Sequence, residues 1–168
     1  TVVGSGSGAV EVVHAPGHTP GHSCFYLARE KLLFIGDLFD PTFNHRPSLN
    51  LPSCSFAETL KSHERLRLLD IETLATAHGD ATEILMSVRD QVAAAVAQSV
   101  AHMEASYSNV VRYFKANGDA RLRDLQACIP SAVWKARFER VIVAWTILRE
   151  LIVAGNVKRE GGRFFWHT

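Results

Sequence analysis

Residues 14–22 read His-Ala-Pro-Gly-His-Thr-Pro-Gly-His, and this stretch restricts the fold more than any other part of the chain. His14, His18 and His22 are spaced by four, which on a helix would align three imidazoles along one face. A helix is excluded, because Pro16 and Pro20 lack the backbone donors a helix interior needs, and Gly17 and Gly21 favour turns. The segment is therefore a tight loop that carries histidines. Val10-Glu11-Val12-Val13, just before it, reads as a short strand. A rigid loop at a strand end is a place where a scaffold can fix a metal ligand or a catalytic group.

Two further strand-like runs end in related chemistry. Leu32-Leu33-Phe34-Ile35 is continuously apolar, which predicts a buried strand, and it leads into Gly36-Asp37. Thr73-Leu74-Ala75-Thr76 is a third run and leads into Ala77-His78-Gly79-Asp80. Each run thus delivers a metal-capable group beyond its C-terminal end: His18, Asp37 and His78. Imidazole with carboxylate is a donor set suited to zinc, iron or manganese.

Taken in order, Pro-Gly-His-Thr-Pro-Gly-His, Phe-Ile-Gly-Asp and Ala-His-Gly-Asp resemble the last three motifs of the metallo-β-lactamase superfamily, over roughly residues 8 to 85. The resemblance implies an α/β fold, the C-terminal part of an αββα sandwich. It also implies two divalent metals, zinc first, with iron or manganese as alternatives. Carried over by position, His18 resembles the third histidine ligand of the first metal. Asp37 resembles the carboxylate that bridges both metals, and His78 the final histidine ligand of the second. The expected reaction is hydrolysis by a metal-bridging hydroxide of an ester, thioester, lactam or phosphodiester, with a small-molecule substrate. The family's opening motif, His-x-His-x-Asp-His, is not present in this sequence. The chain is accordingly expected to be the C-terminal portion of a larger enzyme. Its partner would be the missing N-terminal half, and alone it would hold an incomplete ligand set and show little activity.

Other polar residues near the motifs have weaker assignments. His22 is expected to orient the site from behind its ligands. His45 lies in a Pro-rich loop beside the expected mouth and is a substrate-contact candidate, although a solvated loop histidine is the commoner case. Asp80 is expected to hold the turn after His78. His14 is expected to bond the backbone, His63 and His102 to be surface or packing residues of helices, and His167 to be disordered at the terminus.

The remaining layout follows from pattern. Gly4-Ser5-Gly6-Ser7-Gly8 reads as a hairpin turn or flexible linker. Residues 41–54 form a loop with Pro41, Pro47 and Pro52. Ser55 caps a helix to Leu69, with Leu60, Leu66 and Leu69 as its apolar side. Helical spacing runs from about Thr82 to Ala116, with a second start near Ser106 or Ser108, and Arg121 to Cys128 forms a short helix. Ser131 is expected to cap an amphipathic helix whose stripe is Trp134, Phe138, Val141, Trp145, Leu148 and Ile152. Residues 157–160 and 163–166 read as a hairpin around Gly161-Gly162. The chain thus divides into residues 1–85, metallo-β-lactamase-like, and residues 86–168, a helical linker with a winged-helix-like unit.

Charge adds a second reading. Residues 1–108 carry a net charge of −5 and residues 109–168 a net of +6. A basic module invites nucleic-acid binding, and with it a nuclease of the same fold. Against that, the last helix is too apolar to read a groove. A cap on the catalytic domain, or a homodimer interface in a non-catalytic interaction module, is the competing expectation. Cys24, Cys54 and Cys128 are far apart and odd in number, which suggests reduced thiols and a cytoplasmic setting. There is no apolar run of membrane-spanning length, so no membrane partner is expected.

Overall fold

A computed structural model describes residues 1–4, 6–40, 44–78, 85–86 and 89–167. Strands β1 (Val2–Val3), β2 (Val10–His14), β3 (Ser23–Leu27) and β4 (Leu32–Gly36) form an antiparallel meander. A 3-10 turn at Gly6–Gly8 joins the first two strands, as the hairpin reading of that stretch requires. Next comes a two-stranded ribbon, β5 (Phe39–Asp40) and β6 (Arg46–Pro47), then helix α1 (Phe56–Leu66). Strand β7 (Thr73–Thr76) returns parallel to β4, and β8 (Leu85–Met86) completes a six-stranded sheet of order β1-β2-β3-β4-β7-β8.

The alternation of side chains along these strands sets the two faces of the sheet. Cys24, Tyr26, Leu33, Ile35 and Leu74 are buried and pack with Leu66 of α1 and Val92, Ala95 and Val96 of a following helix. Phe25 and Phe34 point the other way, are paired across β3 and β4, and remain 46% and 43% exposed. Val12 and Ala75 extend their row on either side. The apolar run Leu32–Ile35 forms the strand expected of it, buried on one face only through Leu33 and Ile35.

That following helix is α2 (Arg89–Asn117), one continuous element of 29 residues. It starts later than the pattern suggested and has no break near Ser106 or Ser108. The Ser106 hydroxyl donates to the His102 carbonyl at 2.7 Å, so the serine is satisfied inside the helix rather than capping a new one. Strand β9 (Asp119–Ala120), α3 (Leu122–Gln126), α4 (Arg137–Val153), β10 (Val157–Glu160) and β11 (Arg163–Trp166) follow. The last hairpin has the predicted bounds, and β9 adds to it in the order β10-β11-β9.

Helix α4 departs from expectation in its start and in its buried face. The backbone N–H groups of Val133 and Trp134 both bond the Pro130 carbonyl at 3.1 Å, so residues after Ser131 form a turn, and the helix starts at Arg137. Glu139 closes its first turn by accepting the Ala136 N–H at 3.1 Å. The buried side is Glu139, Val143, Ala144, Thr146, Ile147, Leu148 and Leu151, whereas Phe138 is 62% exposed. Of the expected stripe, Trp134 and Leu148 are buried and Trp145 and Ile152 pack against the same cluster, while Phe138 faces solvent, because the helix is apolar on more than one side and packing selects among them. His167 is also placed, its N–H bonded to the Asn156 carbonyl at 2.7 Å.

Two hydrophobic clusters result. One lies under the six-stranded sheet. The other joins α3, α4, Val157, Phe164 and the second half of α2, from Met103 to Phe114. Leu49, Cys54 and Phe56 belong to this second cluster, so the loop after β6 is anchored by the C-terminal helices.

Candidate metal centre

The loop between β2 and β3 is fixed from several directions. The His14 imidazole Nε2 bonds the Pro20 carbonyl at 3.1 Å, as expected for a backbone partner. Ala15 N–H donates to the His22 carbonyl at 3.0 Å, and Ser62 on α1 donates its hydroxyl to the Pro16 carbonyl at 2.7 Å. Gly17 adopts φ +147°, and a Cβ there would lie 2.6 Å from Thr59 Cα. Only glycine lets this loop lie directly on α1, and the contact fixes where His18 leaves the backbone.

His18, Asp37 and His78 converge. His78 Nε2 lies 2.9 Å from Asp37 Oδ1, and His18 Nε2 lies 4.0 Å from Asp37 Oδ2. Each carboxylate oxygen thus faces a different imidazole. His18 Nδ1 bonds the Ser48 carbonyl at 2.9 Å, which places its proton on Nδ1 and leaves the Nε2 lone pair directed at the site. The Thr76 hydroxyl donates to the His78 carbonyl at 2.6 Å and holds the turn that presents that ring. The His18 side chain is 13% exposed, Asp37 36% and His78 82%. The centre is therefore closed on the loop side and open at His78.

His22 is a structural support of the site. Its Nδ1 bonds the Ala15 carbonyl at 3.0 Å, and its Nε2 accepts the backbone N–H of Asp37 at 3.1 Å. Both ring nitrogens are occupied, and the ring must be neutral for Nε2 to accept. Burial pushes its pKa below the usual histidine value, and the neighbouring His18 adds to that against the opposing pull of the Ala15 carbonyl and Asp37. Gly36 has φ +57°, and a Cβ there would meet His22 Nε2 at 2.7 Å, so glycine is needed for this close approach.

A cavity of about 280 Å³ opens over these groups. Besides the three convergent residues it is lined by Asp40, Arg46, Ser48 and Asn50. Arg46 is tied to Glu139 of α4 at 2.6 Å, a pair whose side chains are 19% and 10% exposed. Arg149 of α4 donates to the carbonyls of Pro52 and Cys54 at 3.1 and 3.4 Å. The Cys54 thiol lies within 3.4 Å of the His18 and Ser48 carbonyls. The loop that orients His18 is therefore held by the C-terminal helices. These contacts span about ninety residues of sequence, and no local pattern announces them.

His45 is absent from the cavity wall, which its neighbour Arg46 joins instead. Its Nδ1 is buried without a hydrogen-bond partner among the described residues, and burial lowers its pKa, with the charge of His102 adding to that and Asp40 opposing it. Asp80 lies outside the described residues.

Whether these donors fit a metal depends on how they are arranged. Among the described residues no group of three or more His, Cys, Asp or Glu side chains converges to hold a single ion. The arrangement is instead two imidazoles, each facing its own oxygen of one carboxylate. Imidazole and carboxylate are donors suited to divalent cations, so His18, Asp37 and His78 are the residues that would hold a metal here.

Residues 1–78 match the family model of the metallo-beta-lactamase superfamily. Among solved structures, a metallo-beta-lactamase family protein of Thermus thermophilus is 21% identical with a TM-score of 0.73, covering 99% of this chain and 52% of its own. A beta-lactamase domain protein of Burkholderia ambifaria is 22% identical with a TM-score of 0.73, covering 99% and 50%. A stereoselective inverting sec-alkylsulfatase of a Pseudomonas species is 12% identical with a TM-score of 0.61, covering 82% and 23%. The chain thus spans about half the length of the first two structures and shares their mixed α/β fold. No curated protein matches the sequence.

Proposed function

We propose that this chain is the C-terminal portion of a metal-dependent hydrolase of the metallo-β-lactamase superfamily. The observation that carries the reading is the placement of His18 and His78 on opposite oxygens of Asp37. His18 and His78 would each hold one divalent cation, zinc in the first instance, and Asp37 would bridge the two. Bound there, such metals would supply hydroxide near neutral pH and would neutralise charge developing at the attacked centre.

The chain's own residues do the rest. Ser48, through its carbonyl, keeps the His18 proton on Nδ1. His22 fixes the strand end that carries Asp37. The exposed ring of His78 and the polar cavity leave space for a small-molecule substrate, an ester, thioester, lactam or phosphodiester. A sulfate ester joins that range, since one structure of similar fold is a sec-alkylsulfatase. The bare apolar row Val12, Phe25 and Phe34 is where the second sheet of an αββα sandwich would pack. Helices α2 to α4 with the final hairpin are read as a winged-helix unit that braces the site loop. The burial of Val143, Ala144, Ile147, Leu148 and Leu151 in α4 supports reading this unit as a brace rather than a groove reader.

The test is turnover by the complete protein of a panel of ester, thioester, lactam, sulfate ester and phosphodiester substrates, before and after chelation. Activity on at least one, lost on chelation and restored by zinc, iron or manganese, is the expected result. Full activity after chelation would overturn the reading.

A further inference from the structure

Helix α2 leaves one face uncovered along its middle. Glu104, Ala105, Ser108, Arg112 and Lys115 are exposed there, with Tyr107 and Val111 half-buried beside them. Among the described residues Glu104, Arg112 and Lys115 take part in no ion pair.

Two cavities adjoin on this face. One, of about 550 Å³, lies where α1, α2 and α4 meet. Phe56, Leu60, Tyr107 and Ala154 give it apolar walls, and Glu104 and Glu150 give it an acidic rim. The Phe56 and Tyr107 rings lie 5.7 Å apart in its lining. The other, of about 300 Å³, continues along α2 and is lined by Tyr107, Ser108, Val111, Arg112 and Lys115. Tyr107 and Ser108 belong to both cavities. The surface is therefore acidic and concave on one side of Ser108 and basic on the other.

This pattern is complementary to itself. Glu104 and Arg112 stand four residues either side of Ser108, about 6 Å along the axis in each direction at the helical rise. A second α2, antiparallel and related by a two-fold axis at Ser108, sets Glu104 against the second copy's arginine 112, and the same pair recurs by symmetry. The apolar stems of the second copy's arginine 112 and lysine 115 match an apolar cavity with carboxylates at its rim. Ser108 and Ala105 are small enough for the helices to approach closely.

We propose that this face of α2 is the interface of a two-fold dimer of the chain. The occupant is a second copy because the required charges, acid and base, are both supplied by one chain at symmetric positions. The first half of α2 packs on the sheet face opposite Phe25 and Phe34, and residues 104–115 flank the cluster formed with α3 and α4, so the interface makes no use of the exposed sheet face. It does not depend on the hydrolase reading.

Sedimentation equilibrium across micromolar concentrations tests it. The chain is expected to dimerise, less strongly as salt rises. Arg112→Glu and Glu104→Arg should each weaken the dimer by about tenfold or more, because each sets like charges against each other twice. The combined variant E104R/R112E should recover most of the affinity, which excludes misfolding as the cause of the single effects. A monomer throughout overturns the proposal. So does a dimer indifferent to both reversals, which would place association on another face such as Phe25 and Phe34, and so does a failure of the combined variant to recover.

Discussion

At the scale of the residue, the site depends on close approaches that tolerate no extra atom. Gly36 is the clearest case, since its backbone is left-handed and His22 Nε2 occupies the space a Cβ would need. Gly36→Ala should therefore cost about 1–3 kcal/mol in urea unfolding, from strained φ and displacement of the ring that accepts the Asp37 N–H. Gly21→Ala, in the same loop system but with nothing near its Cβ position, should stay within about 0.5 kcal/mol of the parent. Equal effects would show that the approach of His22 to Gly36 carries no energy. The three convergent side chains were legible in the sequence because apolar runs announce strands and Pro-Gly and Gly-Asp pairs announce where they end. Ser48 was not legible, because it acts through a backbone carbonyl that any residue type could supply. Arg46 was hidden because its significance depends on Glu139, 93 residues away.

At the scale of the element, sequence period decided what forms, and tertiary contact decided which side is buried. Residues 73–76 and the final hairpin, with its Gly161-Gly162 turn, have the expected bounds. Strand β3 was missed, because Ser23–Leu27 directly follows the histidine loop and carries no punctuation of its own. Helix α4 shows the same limit at single positions, for Leu148 on the expected stripe is buried as read, while Phe138 on it faces solvent and Ile147 off it is fully buried. Phe138→Ser should therefore change stability by no more than about 0.5 kcal/mol, whereas Ile147→Ala should cost about 2–5 kcal/mol by leaving a cavity. Chemical denaturation of the two variants measures this directly, and the reverse order would contradict the burial of Ile147 and the exposure of Phe138. Helix α1 offers a smaller effect. Ser55 accepts the Glu58 N–H at 3.3 Å and donates to Glu150 at 3.2 Å, so Ser55→Ala should cost about 1 kcal/mol. A stability unchanged by that substitution would remove the cap from the account.

At the scale of the whole molecule, acid sensitivity is built into the packing between α1 and α2. His63 is fully buried, with Nδ1 on the Thr59 carbonyl and Nε2 on the Ser99 hydroxyl, both at 2.8 Å. Burial pushes its pKa down to about 4, so the folded chain resists a proton that the unfolded chain binds near the ordinary value of 6.5. The unfolded state then binds more protons below about pH 6.5, and stability should fall by about 3 kcal/mol as pH drops from there to about 4. Above neutrality this group contributes no pH dependence. Urea unfolding at a series of pH values, repeated on a His63→Gln variant, should show that part of the slope disappearing; an unchanged slope would assign the acid sensitivity elsewhere. The same scale contains the link between site and C-terminal helices, through Arg46–Glu139 and Arg149. The proposed function requires that His18, Asp37 and His78 share two divalent cations. Metal content of the complete protein, determined by elemental analysis on the parent and on Asp37→Ala, tests it most directly. About two metal ions per chain in the parent, and a large loss in the variant, are expected. A parent free of metal but active, or a variant that retains the full complement, would contradict it.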